Sequence, residues 1–134
     1  MFQAQLLRRE VQKRYVAWVD GDVAGDRGTI SLPLRVDLEQ RPRQIVDFIH
    51  GVEAITDWSV LERRDGRTRV ALFPRTGRTH QLRVHAAHAA GFGAPIVGDR
   101  LYGTPGERLL LHAESISFRH PDGRRLTFAD PAPF

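Results

Sequence analysis

An Asp-Gly pair between two strand-like runs is the feature that most limits what this 134-residue chain can fold into. The runs are Ala54 to Glu62 and Thr68 to Phe73, and Asp65-Gly66 lies in the short segment that joins them. Asp-Gly is a favoured turn sequence of two-residue hairpins, because both central residues of such a turn need positive φ angles. The sequence therefore predicts an antiparallel β-hairpin over residues 54–73.

The segments before this hairpin are predicted from their periodicity and composition. Phe2 to about Val11 carries apolar residues at helical spacing and is predicted as a helix. Lys13 to Val19 is rich in β-branched and aromatic residues and is predicted as a strand. Gly28 to Val36 is predicted as a short extended piece interrupted by Pro33, and residues 37–53 as an irregular loop.

The segments after the hairpin complete the predicted fold. A helix is expected from Thr79, which can cap it, to Gly91, which can end it. Leu109 to Phe118 and Arg125 to Ala129 read as a closing hairpin around a Pro-Asp-Gly turn. The predicted fold class is α+β, a mixed and mainly antiparallel sheet with flanking helices, in a single domain over residues 1–134.

Composition excludes several classes of protein. The chain has no cysteine, which rules out disulfides, thiolate metal sites and thiol nucleophiles. No apolar run approaches the roughly 20 residues of a membrane helix, and the beginning of the chain has no signal-peptide pattern. The cytoplasm is therefore the expected compartment, and no membrane partner is predicted.

The positive charge is concentrated in one window of the sequence. Residues 63–83 contain seven arginines and a single acid, Asp65, although the whole chain has a net charge of only +4. Of the 20 basic residues, Lys13 is the one lysine. Arginine grips phosphate with a planar fork of donors, so this window predicts a basic face for a polyanion such as RNA. The alternative is a compositional bias toward arginine without function.

The densest group of chemically capable residues lies at the start of the second predicted helix. Gly77 provides a turn, and the free N–H groups of a helix amino terminus favour an anion. Arg78, His80 and Gln81 cluster at that end, and Arg83 lies one turn further along. The segment is thus a candidate phosphate or nucleotide site. The alternative is an ordinary capped helix with solvated basic side chains.

A metal site and a serine triad are poorly supported. His85 and His88 share a face of the predicted helix, but no carboxylate lies within one turn of them and no His-Glu-x-x-His pattern occurs. The serines lack the glycines of a nucleophile elbow. We therefore predict no metal ligand in this chain.

Several segments together resemble one family. Residues 76–85 (TGRTHQLRVH) and 95–103 (PIVGDRLYG) closely resemble the hallmark motifs of RluA-type RNA pseudouridine synthases. Further matches are residues 13–17 (KRYVA), 110–113 (LLHA) and 120–121 (HP). The stretch from Asp37 to Gln44 looks most like the subgroup that acts on both ribosomal and transfer RNA.

The resemblance implies an activity and a set of site residues. Such enzymes flip a uridine out of RNA, cut its glycosidic bond and rejoin the base through carbon 5, without cofactor or metal. The family's stacking tyrosine corresponds to Tyr15, and the arginine that pairs with its catalytic aspartate corresponds to Arg83. A core aromatic and a surface helix charge are the plainer interpretations of these two residues. The residues predicted to contact RNA are Arg75, Arg78, His80, Gln81 and His85.

The sequence departs from the family at the nucleophile. The catalytic aspartate belongs to a His-Arg-Leu-Asp-x-x-Thr-Ser-Gly pattern that precedes the tyrosine strand, and these 134 residues contain neither half of it. Asp99 lies in a Gly-Asp-x-x-Tyr-Gly setting that matches a separate, structural turn, and Asp20 and Asp22 lie in a tight turn. The chain is therefore expected to be the carboxyl-terminal portion of a pseudouridine synthase catalytic domain, inactive alone.

Two further expectations follow from a partial domain. Half a sheet exposes edges and apolar surface, so self-association or a complementing chain is predicted. The alternative function is a non-catalytic RNA-binding module that retains the basic face. RNA, ribosomal or transfer, is the expected partner under both interpretations.

Overall fold

A computed structural model describes residues 11–134 of the chain. The helix predicted from Phe2 lies outside these residues, apart from Val11, which begins the first strand. The described part contains eight strands and one helix. Their bounds are β1 Val11–Val19, β2 Arg27–Ser31, β3 Leu34–Val36, β4 Gln44–Val46, β5 Ile55–Arg64, β6 Arg67–Pro74, α1 Gln81–Ala87, β7 Leu111–Arg119 and β8 Arg125–Ala129.

Six of the strands form one sheet in the order β2-β5-β6-β1-β7-β8, and β3 pairs with β4 separately. All pairings between these named strands are antiparallel. One isolated parallel bridge, between Gly98 and Pro105, lies outside them. The mainly antiparallel sheet is thus confirmed. The flanking helices are confirmed only as a single seven-residue helix within residues 11–134.

The central hairpin forms where the Asp-Gly pair predicts it. Arg64 pairs with Arg67 across the turn, and Asp65 and Gly66 have φ angles of 55° and 75°. Two positive φ angles match the right-handed twist of the flanking strands, which is why Asp-Gly is favoured there. The prediction of this hairpin is confirmed, as is that of the closing hairpin between β7 and β8.

The helix is shorter than predicted at both ends. It begins at Gln81, its N-cap is His80 in the left-handed conformation, and Thr79 makes no capping bond. It ends before His88, which is extended. A Cβ at Gly91 would lie 1.8 Å from the carbonyl oxygen of His85, so the chain folds back tightly against the helix end. The predicted range of Thr79 to Gly91 is therefore wrong by several residues.

The predicted loop over residues 37–53 contains strand β4. Val36 pairs with Gln44 and Leu34 with Val46. A strand of three residues is too short for its alternation to be recognised in a polar sequence. Asp47 closes this hairpin on its other side, because its carboxylate accepts the N–H groups of Ile49 and His50 at 2.9 and 3.0 Å.

The main core lies between α1 and one face of the large sheet. Leu82 and Ala86 of the helix pack with buried strand residues of that face and with Ala94 and Ile96. Trp58 and Phe92 extend the layer through an edge-to-face contact at 5.1 Å. The helix is thereby fixed over the sheet, and its first turn lies beside β1, one of the two central strands.

Strand β7 carries one extra residue where it passes β1. Tyr15 pairs with Ala113 and Arg14 pairs with Ser115, so Glu114 is bulged out of the ladder. The Glu114 carboxylate accepts a bond from Arg14 Nε at 2.9 Å. A bulge reverses the alternation of side chains beyond it. As a result Ala113 and Ile116 both face the side of the sheet on which Tyr15 lies.

Candidate functional site

One cavity of about 310 Å³ brings together most of the predicted site residues. It lies between the middle of β1, the loop after β6 and the first turn of α1. Tyr15, Arg78, His80, Gln81 and Arg83 all line it. The remaining lining residues are Lys13, Pro74, Thr76, Gly77, Leu82 and Leu111. Residues separated by up to 98 positions in the sequence, Lys13 and Leu111, therefore share one concave surface.

Tyr15 has features of both roles that the sequence allowed for it, a core aromatic and a ring that stacks on a base. It is half-buried, and its ring packs against the core cluster under α1. The same residue lines the 310 Å³ cavity and a neighbouring, more apolar one of about 320 Å³. A ring that is supported on one side and accessible on the other is suited to stacking against a nucleobase.

Arg83 is held by a buried carboxylate. Its Nε and Nη2 donate to the two oxygens of Asp99 at 2.9 and 2.7 Å. The Arg83 side chain is 17% exposed and that of Asp99 is 0% exposed. Burial opposes ionisation of Asp99, but the hydrogen bonds from Arg83 and from the N–H groups of Tyr102 and Leu101 outweigh it, so its pKa is lowered. The pair therefore stays charged.

The position of Asp99 fits a structural turn and not a nucleophile. Gly98 before it has a φ of 81°, and a Cβ there would lie 1.9 Å from the Arg108 carbonyl oxygen, so only glycine fits. Both carboxylate oxygens of Asp99 are occupied by Arg83, and one also accepts two backbone N–H groups. A saturated, fully buried carboxylate cannot reach the sugar of a bound nucleotide.

His80 and Tyr102 form a second polar contact at the cavity. His80 Nδ1 and the Tyr102 hydroxyl are 2.8 Å apart, and the same hydroxyl accepts the N–H of Gln44 at 2.8 Å. Burial and the charge of Arg83 lower the pKa of His80, while Asp99 acts in the opposite direction, so the net effect favours the uncharged imidazole. Sequence reasoning did not select Tyr102, although its Gly-Asp-x-x-Tyr-Gly motif was visible.

Gln81 and His85 have polar groups that are used inside the protein. Gln81 is 3% exposed, and its side-chain amide bonds to Thr76, to the backbone of Arg78 and Ile55 and to Thr56. His85 is 1% exposed, with Nδ1 bonded to Thr56 and Nε2 to the Leu32 carbonyl. The prediction that these two side chains contact RNA directly does not fit these positions, because neither has a polar atom free to leave the interior.

Arg75 lies beside the cavity and not in it. Its Nε and Nη2 donate to Asp57 at 2.7 and 2.9 Å, with both side chains about one-third exposed. It lines a neighbouring cavity of about 390 Å³ together with Lys13. Arg75 could therefore contact a polyanion that extends beyond the first cavity, but only as one half of an existing ion pair.

Most of the arginines of residues 63–83 lie at the two opposite ends of strand β6. Arg63, Arg64 and Arg67 lie at the hairpin tip, whereas Arg78 and Arg83 follow the other end of β6, which is about 25 Å long at 3.3 Å per residue. The tip arginines pair with Asp26, Glu62 and Asp20. The prediction of one continuous basic face is thus wrong, and the cationic site is confined to the arginines near α1.

Comparison with known proteins identifies the class of protein. Residues 1–88 match the family model described as "RNA pseudouridylate synthase", so the chain belongs to the RNA pseudouridylate synthase family. The predicted resemblance to the RluA type is confirmed by curated relatives called "Dual-specificity RNA pseudouridine synthase RluA". Those from Pasteurella multocida and Escherichia coli K12 are each 44% identical to this chain, covering 97% of it and 61% of their own length.

Solved structures agree with this assignment. Human RNA Pseudouridylate Synthase Domain Containing 1 superimposes with a TM-score of 0.81 at 32% identity, over 98% of this chain and 58% of that one. Human RNA Pseudouridylate Synthase Domain Containing 4 gives 0.75 at 22% identity, over 98% and 61%, and shows the shared fold. The chain thus spans about 60% of the length of these relatives. In the described part, no helix is long and apolar enough to cross a membrane.

Proposed function

We propose that residues 1–134 act as the carboxyl-terminal portion of a pseudouridine synthase catalytic domain, which converts uridine to pseudouridine in ribosomal or transfer RNA. One observation carries the proposal: Tyr15 and Arg83, the tyrosine and arginine of the family motifs, line the same 310 Å³ cavity with Arg78 and His80. The curated relatives are named as dual-specificity RNA pseudouridine synthases, which supports this substrate class. We also propose the cytoplasm as the compartment in which it acts, since the proposed substrate is ribosomal or transfer RNA.

In this proposal Tyr15 stacks on the flipped uracil and Arg83 supplies a fixed positive charge. Nε and Nη2 of Arg83 are engaged by Asp99, and among residues 11–134 its Nη1 has no hydrogen-bond partner. Nη1 is thus available to a second anion, such as the catalytic carboxylate or a phosphate. A cation whose orientation is already fixed stabilises charge without reorganising during the reaction.

The nucleophile must come from polypeptide outside this sequence. The 134 residues contain no His-Arg-Leu-Asp, and Asp99 is buried and saturated. We propose that the missing aspartate and the rest of the catalytic domain are supplied by further polypeptide of a longer protein or by a complementing chain. Such polypeptide would also cover the exposed apolar end of the sheet, where Phe128 is 59% exposed and stacks on Phe118 at 6.0 Å.

Tritium release from RNA labelled at carbon 5 of uridine tests this assignment. The isolated chain is expected to release none, because it lacks the carboxylate that attacks or stabilises the sugar. Adding the portion of the Escherichia coli relative that has no counterpart in this chain is expected to restore release, and that portion alone serves as the control. Turnover by the isolated 134 residues would contradict the proposal. Binding without turnover after complementation would favour a non-catalytic RNA-binding module.

Arg78 provides a test of the cationic site itself. We expect Arg78→Gln to weaken binding of a single-stranded RNA roughly three- to tenfold and to reduce the slope of log K against log salt by about 0.7 to 1, as loss of one phosphate contact does. Arg64→Gln is the matched control, since the Arg64 side chain is 62% exposed at the far hairpin tip. Fluorescence anisotropy at several salt concentrations measures both. Equal losses of RNA affinity in the two variants would argue against a cationic site confined to the arginines near α1.

A further inference from the structure

A directed chain of hydrogen bonds fixes the ring of His80. The Tyr102 oxygen accepts the Gln44 N–H at 2.8 Å, and the hydroxyl lies 2.8 Å from His80 Nδ1. Within residues 11–134 His80 Nδ1 is the one acceptor beside the Tyr102 hydroxyl, so we assign the hydroxyl proton to that nitrogen. An uncharged imidazole that accepts at Nδ1 carries its proton at Nε2. With the hydroxyl as the donor, these contacts favour the tautomer of His80 that carries its proton at Nε2.

The backbone of His80 is held in a conformation that non-glycine residues rarely adopt. Its φ and ψ are 55° and 18°, and it is half-buried at the start of α1. Such strain persists only where the surrounding structure determines it, and it is concentrated at functional sites. Tyr102, which contacts the His80 ring, is itself held in place: Arg43 and Arg83 lie over its ring at 4.9 and 5.3 Å, and Arg43 also donates to the Leu101 carbonyl.

We propose that His80 contacts the substrate as an uncharged donor, presenting Nε2–H to an acceptor oxygen of the nucleotide in the cavity, and that Tyr102 is a positioning residue that fixes this tautomer. The inference rests on the proposed function, since it requires a ribonucleotide in the cavity that Tyr15 and Arg83 line. The oxygen belongs either to a carbonyl of uracil or to a phosphate, and both offer the same chemistry to the N–H group. A donor fixed in this way discriminates against an amino group at the same place.

Nitrogen-15 NMR of the histidine rings tests the positioning role directly. In the unaltered chain His80 is expected to show a protonated Nε2 and an unprotonated Nδ1, and Tyr102→Phe is expected to convert this state to a mixture of tautomers. Tyr15→Phe is the matched control, because it removes the other tyrosine hydroxyl of the chain and leaves the His80 contact intact. His85, fixed by the Leu32 carbonyl, should stay unchanged in both variants and reports that the fold is intact. A protonated Nδ1 on His80, or no effect of Tyr102→Phe, would overturn the proposal.

Titration with small probes tests the substrate contact. Uridine 5′-monophosphate is expected to shift the His80 Nε2–H signal, and Tyr102→Phe to weaken its binding roughly three- to tenfold. A shift with uridine alone assigns the contact to a carbonyl, and a shift with ribose 5-phosphate alone assigns it to a phosphate. If the nucleotide perturbs Tyr15 but leaves His80 Nε2 unaffected, this inference fails and the proposed function stands. If neither the nucleotide nor an oligoribonucleotide binds, the proposed function fails as well.

Discussion

Replacing Arg83 with methionine is expected to lower the free energy of unfolding by about 3–5 kcal/mol. The substitution removes both bonds to Asp99 and leaves a carboxylate with 0% exposure without its cation. Methionine keeps much of the apolar stem of arginine, so the loss reports the charge and not a cavity. Urea unfolding followed by circular dichroism measures the change.

Arg75→Met is the matched control for this prediction. Arg75 holds Asp57 with the same two-bond geometry, but both side chains are about one-third exposed. Solvent screens the exposed pair, so its loss should cost about 0–1 kcal/mol. Similar losses of unfolding free energy in the two variants would show that burial does not account for the contribution of the Arg83 pair to stability.

The effect of Arg83→Met should also depend on pH. Because the pKa of Asp99 is lowered in the folded protein, the ionised pair contributes stability above the ordinary aspartate pKa of 3.8, and this contribution is lost as the pH falls through the lower folded value. In the variant, burial of Asp99 is no longer offset by the arginine, and protonation relieves the unpaired charge. The difference in the free energy of unfolding between the unaltered chain and Arg83→Met should therefore become smaller at acid pH. A constant difference would contradict this account.

Gln81→Leu is expected to destabilise the fold by about 2–4 kcal/mol. Leucine has a similar volume, but it leaves the Thr76 O–H and the Arg78 N–H without an acceptor. It also removes one of the two N–H groups that bond to the Ile55 carbonyl. Each buried polar group left unpaired costs about 1–3 kcal/mol, and these groups belong to one connected network. Chemical denaturation measures the loss.

The same substitution should also weaken RNA binding, because the Gln81 amide holds the loop that carries Arg78. Gln40→Leu is the control: Gln40 is exposed, and its replacement should change stability by less than about 0.5 kcal/mol. If Gln81→Leu changes stability and RNA binding no more than Gln40→Leu does, the Gln81 hydrogen bonds do not hold the loop that carries Arg78.

The hairpins and the β1 strand could be predicted from the sequence because their signals are local. Asp65-Gly66 encodes its own turn, and the run from Lys13 to Val19 carries the composition of a strand. The shortened helix could not be predicted, because its ends depend on the left-handed His80 and on the close return of the chain at Gly91. Neither contact leaves a periodic signal.

The sequence predicts most of the residues that line the candidate site, but it does not predict what each of them contacts. Tyr15 and Arg83 were found through motif resemblance, and the cavity brings them together. The burial of His85 depends on Leu32 and Thr56, which are 53 and 29 positions away. Whether a polar residue faces solvent or the interior is decided by such distant partners, which a single sequence does not reveal.

The bulge at Glu114 has a consequence for how this chain can vary in length. If Glu114 were instead paired in the ladder, alternation along β7 would place Ile116 and Phe118 on the opposite side of the sheet from Tyr15. Deleting Glu114 would remove the bulge and leave Ala113, Ile116 and Phe118 on the side of Tyr15, so the apolar wall beside that ring would be kept. A relative that is one residue shorter at this point should therefore have a regular β7 strand and a cleft with the same apolar wall.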